Sequence, residues 1–254
     1  MIRLLQVIYS IYAFLLFVGC VIIAFPVTLI CTLFGKVNGG NMMYRGYAML
    51  FRIWYLLVGI IHKDIYEAPE NKEQQYIFVA NHISYMDIPP VLLAIHQPVR
   101  ILGKYEMVKI PIFGWIYRIA VVLVDRSSPE ARSRSVRALK SALKKNVSIF
   151  IFPEGTFNET GAPLKDFYDG AFRLAIEMQT PIKPLLFVDT LDRLHYKKLL
   201  NLTPGKNRVV HLPEISVEGF TMADLKLLKQ KVYDSMDLGL RKYRNYDTSS
   251  GSTI

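Results

Sequence analysis

The sequence predicts an α/β fold, a central mixed sheet flanked by helices, that carries an N-terminal membrane-embedded helical hairpin. From Lys63 onward, short apolar and β-branched runs alternate with helical patterns, as they do where helices cover the faces of a sheet. Before that, the stretch from Leu4 to Phe34 holds no charge and, aromatics aside, only Gln6, Ser10, Thr28 and Thr32 as polar side chains. The whole chain is 52% hydrophobic yet has a net charge of +10, an unusual combination for a soluble protein. Its 254 residues suffice for one domain with a sizeable core plus an appendage. The expected division is 1–61 as membrane-anchoring helices, 62–246 as the globular domain, and 247–254, rich in Ser, Thr and Gly, as a disordered tail.

About 20 residues cross roughly 30 Å of hydrocarbon. The first apolar run would reach about 45 Å as a straight helix, so it tilts or bends at Pro26. A second apolar segment, 42–61, mixes Arg45 and Arg52 with Tyr44, Tyr47, Phe51, Trp54 and Tyr55. That pattern suits a helix at the headgroup level, or the return arm of a hairpin whose turn is Gly39-Gly40-Asn41. No acidic residue precedes Asp64, whereas Arg3, Lys36, Arg45, Arg52 and Lys63 are basic. Attraction to an anionic membrane surface follows, which places the globular domain on the cytoplasmic face of the cell inner membrane or another cellular membrane. The competing reading is a core helix of a soluble domain. The length of the apolar region and the absence of a small-x-small site argue against a cleaved signal peptide. Cys20 and Cys31, the two cysteines, both lie in this region and read as packing residues.

Strands are expected at 76–80, 99–102, 120–124, 148–152, 182–187 and 208–212. The clearest helix spans 129–144, with Ser128 as N-cap, Pro129 at its first position, Glu130 in its first turn and Lys144 and Lys145 near its end. After Thr221, Leu225, Leu228, Val232, Met236 and Leu240 mark an amphipathic helix that covers the core, with Asp224 at its capped start.

Chemistry concentrates where apolar strands end in polar residues. The run 76–80 leads into Asn81-His82-Ile83-Ser84-Tyr85-Met86-Asp87, and Pro89 and Pro90 allow a helix to begin near Met86. Neutral imidazole accepts a proton near neutrality, and a carboxylate on its other nitrogen fixes the tautomer and stabilises the imidazolium. His82 and Asp87 form such a pair if the chain bends between them. Ser84-Tyr85-Met86-Asp87 equally fits a capping box, which would make Asp87 structural. No further ligand stands at metal spacing nearby. Lys104, Arg126 and Glu154-Gly155-Thr156 follow other strands; the two cations would suit an anionic substrate or would be ordinary solvated charges. Gly155 permits close backbone approach, and Glu154 either bonds a substrate hydroxyl or ties down its own loop.

Taken in register, Asn-His-x4-Asp at 81–87, Gly103-Lys104, Val124-Asp125-Arg126, Phe152-Pro153-Glu154-Gly155-Thr156 and Thr180-Pro181-Ile182-x-Pro184 resemble the glycerolipid acyltransferases, specifically the 1-acyl-glycerol-3-phosphate (lysophosphatidic acid) acyltransferase family. The resemblance covers about residues 40–215. It implies the glycerolipid acyltransferase fold, with His82 as general base for the acceptor's hydroxyl and Asp87 as its orienting partner. It further implies acyl-CoA or acyl carrier protein as donor, Lys104, Arg126, Glu154, Gly155 and Thr156 as substrate-binding residues, and no metal or redox cofactor. Two positions depart from the family pattern: the family's basic pair before Gly-Ala-Phe is Tyr168-Asp169 in this sequence, and the family has an arginine that holds the acceptor's phosphate directly after Phe-Pro-Glu-Gly-Thr. Here it is Phe157, so either Lys165 replaces that contact or the acceptor is another lysophospholipid or an acylated amino acid. A non-catalytic membrane-surface protein, or a metal-dependent phosphoesterase using His82 and Asp87, are the rival readings. The membrane segment accounts for much of the basic charge, and no aromatic-basic nucleic-acid motif occurs.

Overall fold

The computed structural model describes residues 2–124 and 128–244. Asp125, Arg126 and the tail 247–254 lie outside the described residues. Seven strands form one sheet: β1 Ile60–Tyr66, β2 Ile77–Ala80, β3 Val99–Lys104, β4 Val122–Val124, β5 Ser148–Ile151, β6 Ile182–Phe187 and β7 Gly205–His211. Their order is β1-β7-β6-β2-β5-β3-β4. Neighbours from β6 to β4 run parallel, β7 is antiparallel to β6, and β1 is parallel to β7, so the sheet is mixed as expected. Of the parallel strands, β2, β5 and β6 are buried along their whole length, which is why they read as predominantly apolar. β1 was not expected. As an edge strand it buries only Ile60, leaves its other residues half-buried or exposed, and carries His62, Lys63 and Asp64.

Alternation along the strands divides the core. Ile77 and Val79 face α5 (Pro129–Leu143), α6 (Gly170–Met178) and α8 (Leu225–Arg244), which supply Leu143, Phe172 and Met236 among others. Leu228, Val232, Met236 and Leu240 are all buried, and Thr221 and Asp224 form the capping box ahead of α8. Phe78 and Ala80 point the other way, into a second core shared with α1 (Ile2–Thr32), α2 (Gly40–Leu57), α3 (Ile88–Ala94) and α4 (Phe113–Ala120).

The second segment of the expected hairpin therefore belongs largely to the globular core. α2 buries Met43, Tyr44, Tyr47, Trp54 and Tyr55. Tyr44 donates to the Ala120 carbonyl at 2.8 Å, and its oxygen accepts from the Ile101 N–H at 3.1 Å. The aromatics that resembled a headgroup belt are core residues with satisfied hydroxyls. The segment also ends earlier, at Leu57, and the expected boundary after residue 61 falls inside β1.

α1 is long and apolar enough to cross a membrane. Pro26 lies inside it without ending it. It contacts the globular part at separated points: the Ser10 hydroxyl accepts from the Leu202 N–H at 3.0 Å, and Phe25 meets the Trp115 ring at 4.9 Å. Those two residues are about 22 Å apart along the helix. Its outer face exposes Leu4, Leu5, Ile8, Phe14, Leu15, Ile22, Ile23 and Ile30.

The turn joining α1 to α2 is a π-helical stretch at Gly35–Gly39, and Gly40 and Asn41 already belong to α2. The buried Arg100 of β3 holds it, donating to the Lys36 carbonyl at 2.9 Å, the Val37 carbonyl at 3.1 Å and Asn41 Oδ1 at 3.1 Å. A Cβ at residue 40 would lie 2.1 Å from that guanidinium, so a larger residue there would have to displace the arginine from these bonds. Arg100→Leu removes these charge-assisted bonds and strands their acceptors. It is expected to lower unfolding stability by about 3 kcal/mol, measured as a fall in the denaturant midpoint.

Candidate active site

β2 ends at Ala80, and the side chain of Asn81 then spans to β6, accepting from the Phe187 N–H at 2.8 Å and donating to its carbonyl at 3.0 Å. With the chain pinned there, residues 82–84 leave the sheet and a 3₁₀ turn forms at Tyr85–Asp87. Ser84 caps it: its hydroxyl accepts from the Met86 N–H at 3.0 Å and donates to the Leu194 carbonyl at 2.5 Å. Asp87 completes the capping box from the other side.

The two sequence readings of Asp87 coexist. Its Oδ2 accepts from the Ile83 N–H at 2.7 Å and the Ser84 N–H at 2.9 Å, and the same oxygen accepts from His82 Nδ1 at 2.8 Å. The bend that caps the helix is the bend that brings the pair together. Asp87 is wholly buried, and its second oxygen, Oδ1, has no partner among the described residues. The His82 side chain keeps 17% of its surface exposed. With its proton donated from Nδ1, neutral imidazole has Nε2 free to accept another. Phe152 stacks on the imidazole at 3.9 Å and 14°, and Phe157 meets it edge-on at 4.4 Å. Carboxylate and rings together fix its plane.

Glu154 is also fully buried, and it ties its loop to the His82 turn. Its Oε1 accepts from the His82 N–H at 2.8 Å and its Oε2 from the Lys165 N–H at 3.0 Å. Burial pushes its carboxyl from the ordinary 4.5 up to about 7, against the pull of those two N–H donors and with Asp87 adding to the rise. Gly155 follows at φ 71°, a conformation that favours glycine. The Thr156 hydroxyl accepts from Lys165 Nζ at 2.6 Å, and the Asn158 N–H donates to the His82 carbonyl at 2.7 Å.

Five of the predicted residues thus converge: His82, Asp87, Glu154, Gly155 and Thr156. Lys104 does not join them directly. It is exposed at the end of β3, separated from β2 by β5, so about 10 Å of sheet intervenes. Gly103 beside it has a packing reason, since a Cβ there would lie 2.1 Å from the Tyr117 hydroxyl. Arg126 lies outside the described residues. Sequence reasoning missed the aromatic surround: Tyr85 packs on Phe157 at 4.8 Å, and Tyr196 lies 6.3 Å from it. It also missed a second His–Asp cluster on β1 and β7, where Asp64 accepts from His211 at 3.0 Å and His62 at 3.1 Å. Burial raises the Asp64 pKa, but the two imidazoles overcome it and hold that carboxyl well below its usual range. No group of metal-ligating side chains occurs among the described residues.

The Acyltransferase family model matches residues 63–188. The chain is 30% identical over 218 residues to human 1-acyl-sn-glycerol-3-phosphate acyltransferase alpha, spanning 85% of this chain and 74% of that one. It is 31% identical over 165 residues to the mouse protein of that name, a match that spans 64% of this chain and 58% of the relative's own length. The crystal structure of the 1-acyl-sn-glycerophosphate acyltransferase PlsC from Thermotoga maritima superposes with a TM-score of 0.74 over 98% of both chains, at 23% identity, a likeness of fold.

Glu154 generates a pH prediction. In the unfolded chain its carboxyl ionises near 4.5, whereas in the fold it keeps its proton to about 7. The native state binds the extra proton in that window, so stability falls as pH rises through it, by an amount on the order of 3 kcal/mol. Glu154→Gln cannot titrate. The difference in denaturation midpoint between the parent and this variant is expected to drift against the parent from pH 4.5 to 7. A constant offset would mean that Glu154 is ionised throughout.

Proposed function

The chain belongs to the 1-acyl-sn-glycerol-3-phosphate acyltransferase family, and on that premise we propose that it acylates 1-acylglycerol 3-phosphate to phosphatidic acid, with acyl-CoA or acyl carrier protein as donor. The observation that carries the reading is the His82–Asp87 pair, with Nδ1 held at 2.8 Å by a buried carboxylate and Nε2 left to take a proton. The acceptor's hydroxyl oxygen attacks the thioester carbonyl carbon while its proton passes to Nε2. The Asp87 charge stabilises the imidazolium. The tetrahedral intermediate then expels the thiolate, which recovers the proton from Nε2 and leaves as the free thiol, regenerating the base. Stacking on Phe152 holds the imidazole in line throughout.

Lys165 is the phosphate-binding cation on this reading. Its ammonium already bonds Thr156, the residue before Phe157, and so stands beside the place of the family's arginine. Lys104 adds charge from the end of β3, two strands from β2. The Phe157–Tyr85–Tyr196 cluster favours a second reading, a lysolipid whose head group is less anionic. Membrane association rests on α1, whose outer face is apolar while its inner face is fastened to the domain; the hairpin lies in one leaflet, with the site on the cytoplasmic side.

Release of free thiol from acyl-CoA, driven by lysophosphatidic acid or other lysolipids in parallel, tests this. His82→Ala is expected to lower the rate by about 10²–10⁴-fold. Asp87→Asn is the sharper probe, because the amide oxygen can keep all three bonds now made by Oδ2. Its fold should persist, by an unchanged denaturation midpoint, while the rate falls with the lost charge. A rate untouched by His82→Ala overturns the general-base assignment. For the phosphate contact, Lys165→Met is expected to raise KM for lysophosphatidic acid about tenfold with kcat less affected.

A further inference from the structure

Between α7 (Thr190–Arg193) and β7 the chain makes a closed loop. The Thr203 N–H donates to the Arg193 carbonyl at 2.8 Å across its neck, and internal bonds run from the Lys198 N–H to the His195 carbonyl and from the Asn201 N–H to the Lys198 carbonyl. It is a compact Ω-loop, ordered by its own backbone. Three attachments aim it. Leu194 is bonded through its carbonyl to Ser84, inside the turn that carries His82 and Asp87. Tyr196 reaches Phe157, which itself packs on His82. Leu202 is buried with Ala13 and Trp54 and bonded to Ser10 of α1. The tip between them is Lys197-Lys198-Leu199-Leu200, with Leu199 62% and Leu200 53% exposed. Two adjacent leucines held out from an ordered loop, next to two lysines, have no covering partner among the described residues, and the loop is bonded at Leu202 to α1, whose outer face exposes Leu4, Leu5 and Ile8.

We infer that residues 194–203 form a lipid-docking wedge whose occupant is an anionic bilayer surface. Leu199 and Leu200 enter the acyl region, and Lys197 and Lys198 rest on anionic headgroups. Charge complementarity favours lipid over a protein partner: no acidic side chain interrupts the tip, and the loop is bonded at Leu202 to α1, a helix with an apolar outer face. Because the same loop touches the His82 turn and Phe157, docking sets the mouth of the site against the surface from which the acceptor is drawn. This role in delivery rests on the acyl-transfer reading; the docking itself does not.

The test uses the full chain reconstituted in vesicles of mixed phosphatidylcholine and phosphatidylglycerol. In a background with Cys20→Ala and Cys31→Ala, an environment-sensitive fluorophore is placed at Leu199→Cys and, as control, at Leu238→Cys, which is 72% exposed on α8. The label at 199 is expected to emit at shorter wavelength and to be quenched by brominated lipid, and the one at 238 to do neither. Leu199→Asp with Leu200→Asp is expected to lower kcat/KM for bilayer-held lysophosphatidic acid about tenfold. The same double variant should transfer to a short-chain, water-soluble lysophosphatidic acid at the parent rate. A label at 199 as water-exposed as that at 238, or equal losses on both acceptors, overturns the wedge. Transfer to neither acceptor by the parent overturns the enzymatic reading and leaves the fluorescence to decide the docking.

Discussion

Asp87 Oδ2 accepts from His82 Nδ1, Ile83 N and Ser84 N at once, and three donors converging on one buried oxygen leave the turn after β2 little conformational choice. Each bond would otherwise be made to water, and none can be given up inside the protein without stranding a polar group. Capping a helix and holding an imidazole are commonly treated as competing uses of a carboxylate. Here geometry makes them one use, because the bend that gives α3 its start also folds the imidazole back over the carboxylate. Ser84 and Asn81 extend the same logic outward, to Leu194 and to β6. The strand end, the turn and the first residues of α3 are therefore fixed as a unit.

A second buried carboxyl lies close by. Glu154 stands on the loop after β5, the strand next to β2, and bonds the backbone of His82. Its raised pKa follows from burial first and from its neighbour Asp87 second. The two carboxyls share one buried corner, and their partners are unequal. Asp87 faces an imidazole that can become a cation, while Glu154 faces two neutral amides. The structure thus gives the one a partner whose charge can change and leaves the other as a tie between two loops.

The central strands β2, β5 and β6 were legible because both of their faces are buried, which makes their sequences predominantly apolar runs. β1 was not, since an edge strand with His62, Lys63 and Asp64 matches no such run. α2 misled for a specific reason: tyrosines and a tryptophan among arginines look alike whether they meet headgroups or, as with Tyr44 and Trp54, donate to backbone carbonyls in a core. At the site, His82, Asp87 and Glu154 were legible from their positions after strands. That Lys104 stands two strands off was not, because strand order is set by long-range pairing. Nor was the ring stacking on His82, which depends on how the β5 loop folds back across β2.

The hairpin α1–α2 is fastened to the globular part near its start, its middle and its turn, through Ser10, Phe25 and the Arg100 anchor. A helix that spans a bilayer must match its apolar length to the local hydrocarbon thickness, and mismatch tilts it or sorts it among membranes. On the proposed single-leaflet reading, a helix secured lengthwise to a rigid body has no tilt to adjust, and bilayer thickness has no lever on it. What the lipid can vary for it is then lateral pressure and surface charge.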